Sequence, residues 1–314
     1  MHAAVVAEGR VGWTSYPDPR PEGSELLVRV QAAGINGADI AQRAGLYPAP
    51  KGTVADVPGL ELAGTVEAVG GRVLRFAPGD KVMALVSGGA QAELCLVDER
   101  LAVPVPERLG WAEAGGVPEA FATAHDALVG QCGLQAGERL LVTGAAGGVG
   151  LAGVQLGLAC GAEVVASVRR PEQRGVLAEL GAKAVAPEDV GAAGPYDVVL
   201  ELVGAPSLAD AVTSLAFWGR IVVIGFMGGH KLDLDLRVLA HRRARLLAST
   251  LRARPFEERA LVVRRLEHHV VPLLERGAVR AHVDSTLPFD GVESAYDRFA
   301  AGGKLGKIVL LAAG

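Results

Sequence analysis

Cysteine is scarce: Cys95, Cys132 and Cys160 are the only three in 314 residues, and no two form a CxxC pair. That spacing excludes a disulfide framework and a structural zinc knuckle, leaving three small buried apolar side chains in a reducing compartment. A surplus of one charge is missing too. The formal net charge is −4 with 21% charged residues, which gives no pull toward nucleic acid or anionic lipid. Met1 to Val6 lacks the basic stretch and long apolar core of a secretory signal, so a cytoplasmic location is expected. No internal repeat or low-complexity linker is visible. What is present is a globular composition, 50% apolar, with length enough for two domains.

One uncharged run, Leu140 to Ala162, is long enough to suggest a membrane span and contains the small-xxx-small spacing Gly153 to Gly157. Glycines 144, 147, 148 and 150 crowd its start, where a soluble protein turns from strand into helix, and its flanks carry no Arg/Lys asymmetry or aromatic belt. A span is rejected.

The first third reads as strands with short turns: Glu25 to Val30, Leu62 to Val69, and Lys81 to Val86 after the turn Ala77-Pro78-Gly79-Asp80. From about Pro118 the texture changes. Short apolar runs (Arg139 to Thr143, Glu163 to Val168, Val198 to Leu202, Arg220 to Ile224, Arg245 to Ser249) alternate with helical patterns, as in a parallel sheet covered on both faces. After Pro255 come a charged amphipathic helix (Phe256 to Arg276), a strand-like piece (Ala281 to Phe289), a helix (Gly291 to Ala301) and a closing strand (Lys307 to Leu311). The expected architecture is α/β: a doubly wound parallel-sheet domain at 118–254, inserted in a β-rich domain made of 1–117 and 255–314.

Leu140-Leu141-Val142-Thr143 runs into Gly144-Ala145-Ala146-Gly147-Gly148-Val149-Gly150 and then a helical stretch. Strand, glycine turn and helix together make a pyrophosphate cradle, because free N–H groups and the dipole at a helix start favour an anion. Gly147 lets backbone approach the phosphates and Gly150 lets the helix pack closely. No Lys-Ser/Thr follows, so a triphosphate loop is not expected. The next strand has no carboxylate at its end and leads into Val168-Arg169-Arg170, with Arg174 a turn later. Forked guanidinium donors suit a 2′-phosphate, so NADPH is expected over NADH.

With the loop placed, the chain resembles the zinc-free quinone oxidoreductases (zeta-crystallin-like) of the medium-chain dehydrogenase/reductase superfamily. The resemblance runs end to end: Asn36 to Tyr47 against an N-x-x-D-x-x-x-R-x-G-x-Y segment, Pro58 to Val66 against P-G-x-E-x-x-G-x-V, the A-A-G-G-V-G loop, Asp197 to Gly204, Gly219 to Gly225, and Gly306 to Val309. It implies a Rossmann domain inserted in a GroES-like catalytic domain. Zinc-dependent relatives use an early Cys and a His in a G-H-E turn; here Asn36 to Asp39 holds no Cys and Leu60 replaces the His. No metal is therefore expected, and Glu61 is read as a structural anchor.

By the same resemblance, Asn36 and Tyr47 line the acceptor side as the candidate catalytic residues. Thr123, Ala146, Gly147, Gly148, Val149, Gly150, Ser167, Arg169, Arg170, Arg174, Val203, Gly204, Gly225, Phe226, Met227 and Lys304 are the candidate NADPH contacts. The family's usual Ser-then-Lys on the ribose-phosphate loop is replaced by Arg170 and Gln173, and its Tyr after the following strand has no counterpart near Pro187-Glu188. His125 is read as a packed residue rather than a general acid. The helix bearing Arg264, Arg265, His268 and His269 is read as a salt-bridged surface, since Glu257, Glu258, Glu267 and Glu275 interleave. The implied reaction is hydride transfer to a quinone or conjugated carbonyl. Alternatives are an enoyl or alkenal double-bond reductase, which needs a proton donor to carbon such as Tyr47 or His125, and a non-catalytic NADPH-binding protein. A homodimer joined through edge strands near Arg245 to Leu251 is also implied.

Overall fold

A computed structural model of the chain describes residues 1–313. They form two compact units: Met1–Ala122 together with the segment from Leu251 onward, and Thr123–Thr250.

The first unit begins with an antiparallel hairpin, β1 (His2–Ala7) and β2 (Arg10–Ser15). It continues through β3 (Glu25–Ile35), β4 (Glu61–Val69), β5 (Lys81–Leu85), β6 (Leu94–Asp98) and β7 (Ala102–Pro104). These strands pair antiparallel, β3 with β4 and β6, and β5 with β4 and β7. Leu26, Val28, Val30, Leu62, Ala63, Val66 and Met83 supply the buried faces. The strands at 25–30, 62–69 and 81–86 stand where the β-branched runs placed them.

The second unit holds the apolar runs as a six-stranded parallel sheet: β8 (Arg139–Val142), β9 (Glu163–Ser167), β10 (Lys183–Val185), β11 (Tyr196–Glu201), β12 (Leu215–Val223) and β13 (Arg245–Ala248). The spatial order is β10-β9-β8-β11-β12-β13, with every pairing parallel. Renumbered from β8 this is 3-2-1-4-5-6, the Rossmann order, whose direction reverses between β8 and β11. Strand β10 was not anticipated: three residues are too short to show a period.

The helix Gly148–Ala159 explains the uncharged run. It is buried from Gly150 through Gly157, so it has no polar face to keep. A Cβ on Gly153 would lie 2.5 Å from Leu200 Cδ2, and one on Gly157 would lie 2.5 Å from Leu140 Cδ2. The small-xxx-small spacing therefore seats this helix on β8 and β11. Among the described residues no helix is long and apolar enough to cross a membrane.

After β13 the chain returns to the first unit. The helical stretch Phe256–Glu275 carries a π turn at Leu266–Val270. Then come β14 (Val283–Pro288), a helix (Val292–Ala300) and β15 (Lys307–Leu311). Strand β15 inserts between β14 and β3, completing a seven-stranded sheet. The carboxylates of the charged helices reach other elements: Glu257 pairs with Arg100 and Glu267 with Arg75, each at 2.6 Å. The architecture is a Rossmann sheet inserted in a GroES-like β-rich domain.

Candidate functional site: a dinucleotide crevice and a buried ionic network

In the Rossmann unit the glycine loop leaves β8 at Thr143 and enters the helix at its N-cap, Gly147. Gly144 has φ +57°, a conformation that favours glycine. A Cβ on Gly150 would lie 2.6 Å from the Gly144 carbonyl oxygen and 2.7 Å from Ala145 Cα, so the first helical turn is pressed against its own loop. Ala145 N–H donates to the Ser167 carbonyl at 3.1 Å, fixing the loop to the end of β9. Ala146, Gly147, Gly148, Val149 and Gly150 thus lie at the start of a twelve-residue helix, at the carboxyl end of the strand beside the sheet's switch point. That is where open α/β sheets bind ligands, and a helix N-terminus suits a pyrophosphate.

Ser167 is buried at the end of β9, whereas Arg169 and Arg170 are exposed. Arg170 pairs with Glu172 at 3.7 Å on an open surface. Arg174 is half-buried, and its Nε, shielded from solvent, has no hydrogen-bond partner among the described residues. An unmatched guanidinium N–H in this place fits a phosphate oxygen.

Opposite the glycine loop, two turns are stitched together. Gly228 N–H donates to the Val203 carbonyl and Ala205 N–H to the Gly229 carbonyl, both at 2.9 Å. A Cβ on Gly225 would collide with the Leu202 carbonyl oxygen, so glycine is required there. The stitching holds Val203, Gly204 and Gly225 in one surface and leaves Phe226 and Met227 exposed, at 53% and 68%. Beneath them lies Glu201, which the motif reading passed over. It is the last residue of β11 and fully buried. Its Oε1 accepts from the Thr143 hydroxyl (2.9 Å), Val203 N–H (2.8 Å), Gly204 N–H (2.9 Å) and the Ser207 hydroxyl (2.6 Å). Thr123 and His125 are both buried near the end of the helix Pro118–His125.

The other functional candidates lie in the GroES-like unit. Asn36 caps a helix (Gly37–Arg43) in which Asp39 answers as the N3 acid. Its side-chain amide is engaged at both ends: Nδ2 donates to Glu61 Oε1 at 3.0 Å, and Oδ1 accepts from Lys307 Nζ at 2.6 Å. Lys307 also lies 2.5 Å from Glu61 Oε1 and donates to the Ile35 carbonyl. Glu61 Oε2 accepts from Glu119 N–H at 2.8 Å. Asn36, Glu61 and Lys307 are all buried. Glu61 is thus an anchor, as its apolar turn suggested, and Lys307 is the cation that sequence reasoning missed.

Asp39 is fully buried and accepts from the N–H groups of Asn36 and Gly59. Burial pushes its carboxyl up to about 6, against the pull of those donors and of Lys307 and Arg252.

Tyr47 is half-buried, and the guanidinium of Arg252 lies 5.5 Å from its ring centroid. Arg252 is itself buried. It donates to the carbonyls of Ser87 (2.8 Å) and Tyr47 (3.4 Å) and to Gln42 Oε1 (2.7 Å). Lys304, a candidate NADPH contact, donates to the Gly306 carbonyl and lies 4.7 Å from the Phe299 ring. Burial lowers its ammonium to about 8, with the neighbouring charge of Lys307 acting the same way. Leu60, where zinc-dependent relatives carry a ligand, is buried apolar side chain. Among the described residues no three His, Cys, Asp or Glu side chains gather to hold a metal.

Residues 148–267 match the family described as Zinc-binding dehydrogenase and residues 22–130 the Alcohol dehydrogenase GroES-like domain. A quinone oxidoreductase of Lama guanicoe is 31% identical over 93% of this chain and 90% of its own. The quinone oxidoreductase of Homo sapiens is 28% identical over 93% and 91%. Among solved structures, an NAD-dependent alcohol dehydrogenase superposes with a TM-score of 0.89 at 27% identity, covering 100% of both chains. A mycobacterial protein complexed with NADPH superposes at 0.86 with 26% identity, covering 99% of this chain and 100% of that one. An NAD(P)H-dependent oxidoreductase by these relationships, the chain belongs to the quinone oxidoreductase family of the medium-chain dehydrogenase/reductase superfamily.

Proposed function

We propose that this chain is a zinc-independent NADPH:quinone oxidoreductase. The carrying observation is the crevice at the carboxyl ends of β8, β9 and β11. There a glycine-started helix stands beside the end of β9, which carries no carboxylate and leads into Arg169, Arg170 and Arg174, and Arg174 Nε lacks a partner among the described residues. A superposing neighbour complexed with NADPH and relatives named quinone oxidoreductase support the same reading. Zinc independence rests on the residues themselves, since Leu60 offers no donor atom.

When bound, the reduced nicotinamide supplies the hydride. Residues 146–150 hold the pyrophosphate, and Ser167, Arg169, Arg170 and Arg174 hold the 2′-phosphate of the ribose. Thr123, Val203, Gly204, Gly225, Phe226 and Met227 orient and cover the ring end. Tyr47, steadied by Arg252, lines the acceptor side. Asn36, whose amide is committed to Glu61 and Lys307, shapes that side by holding the Asn36-to-Tyr47 segment. Lys304, lowered to about 8, is a cation near the acceptor domain's closing strand. A quinone that accepts the hydride becomes the phenol-like oxyanion of its hydroquinone, which a proton from water completes, so positioning of the acceptor carries most of the work.

The edge position of β13, with Leu246 40% exposed, supports pairing of two copies there. Oxidation rates of NADPH and NADH across naphthoquinones, benzoquinones and enones test the reading. Faster turnover of NADPH with quinones is expected; preference for NADH sinks the cofactor assignment, and activity on enones alone sinks the acceptor.

A further inference from the structure

Glu201 is a fully buried carboxylate that forms no ion pair with a lysine or arginine among the described residues. Four donors converge on Oε1, while Oε2, equally shielded, has no hydrogen-bond partner among the described residues. The donors come from two places. Thr143 follows β8 and opens the glycine loop; Val203, Gly204 and Ser207 form the turn after β11 and the start of the helix Ala205–Thr213. Thr143 Oγ1 in turn accepts from Leu202 N–H at 2.9 Å. One carboxylate oxygen therefore ties together the two strand ends that flank the switch point of the sheet.

We infer that Glu201 is a positioning residue that sets the two sides of the dinucleotide crevice, and that its buried negative charge favours the oxidised cofactor over the reduced one. The inference rests on the dinucleotide reading above. Oxidation of the nicotinamide adds one positive charge to the ligand. A fixed anion in a water-poor place attracts that charge far more than it would in bulk solvent. The protein thereby biases the bound pair toward hydride donation without touching the reacting atoms.

The orphaned oxygen makes the test clean. In Glu201→Gln the carbonyl can stay on the four donors, with the amide nitrogen taking the place of Oε2, so the network survives and only the charge is lost. Calorimetric titration of the wild-type chain and this variant with NADP+ and with NADPH reads the ratio of the two dissociation constants. In the variant, NADP+ is expected to weaken about ten-fold relative to NADPH. A purely structural role would move both constants together, and an unchanged ratio overturns the inference. A wild-type chain that binds neither form sinks the dinucleotide reading itself.

Thr143→Val carries the test if Glu201→Gln does not fold. It removes one donor and keeps the charge, so both affinities fall while their ratio holds. A ratio that moves, or affinities that stay put, overturns the assignment.

Discussion

Lys307 Nζ lies 2.5 Å from Glu61 Oε1, with side chains 4% and 0% exposed. The same ammonium holds the Asn36 side-chain oxygen and the Ile35 carbonyl. A buried ion pair is weak grounds for expecting extra stability, yet removing one partner strands the other without compensation. Lys307→Met is therefore expected to lower the unfolding free energy by about 3–5 kcal/mol. Urea denaturation at pH 7 measures it, and a loss under about 1 kcal/mol would mean the pair is compensated by other groups.

Asp39 gives a pH dependence with a definite sign. Its folded value, about 6, lies above the ordinary 3.8, so the native state holds this proton more tightly than the unfolded chain does. Its contribution is largest at low pH and is lost as pH rises through 6. Asp39→Asn removes that slope and also turns one acceptor of the Asn36 or Gly59 N–H into a donor. The variant should be less stable at both pH 5 and pH 7, with the deficit smaller at pH 7 by about 1 kcal/mol. Equal deficits at the two pH values would contradict the raised value.

Arg252 reaches Ser87, Gln42 and Tyr47 from one guanidinium. Losing it frees the segment bearing Tyr47 without changing the crevice in the other unit. Arg252→Met is expected to cut kcat/KM for the acceptor about 10- to 100-fold while the dissociation constant of NADPH stays near wild type. Steady-state kinetics on a naphthoquinone beside cofactor titration separates the two effects, and a parallel loss of NADPH binding would refute the assignment.

Arg174 is the arginine best placed to meet a phosphate, since Arg169 and Arg170 stand open to solvent and Arg174 Nε is buried without a partner among the described residues. Arg174→Ala should weaken NADPH about ten-fold or more and leave NADH unchanged, as expected for loss of a charge-assisted hydrogen bond. Equal weakening of both cofactors would assign Arg174 to the fold instead.

The glycine loop was legible in the sequence because its chemistry is local: strand, turn and helix start lie within a dozen residues, and a Cβ is excluded at Gly150 by Gly144 and Ala145. The apolar runs marked five of the six Rossmann strands for a similar reason, since a strand buried on both faces needs no pattern beyond apolarity. The buried polar groups were not legible. Arg252 meets Ser87 across 165 positions, and Lys307 meets Ile35 across 272. Nothing in the residues flanking either one marks a buried cation, because the partners come from distant segments. Glu201 was hidden differently: it closes an apolar run, and only the fold shows four donors turned toward it.

The placement of β15 between β14 and β3 fixes an order of events on the ribosome. The Rossmann sheet has its last strand once Ala248 has emerged. The GroES-like sheet must wait for Lys307 to Leu311 before β3 gains its third neighbour, after β4 and β6, and Glu61 its cation. A nascent chain thus carries a finished nucleotide-binding unit beside an open, half-built sheet, and synthesis that stalls before residue 307 leaves the buried carboxylate of Glu61 unneutralised.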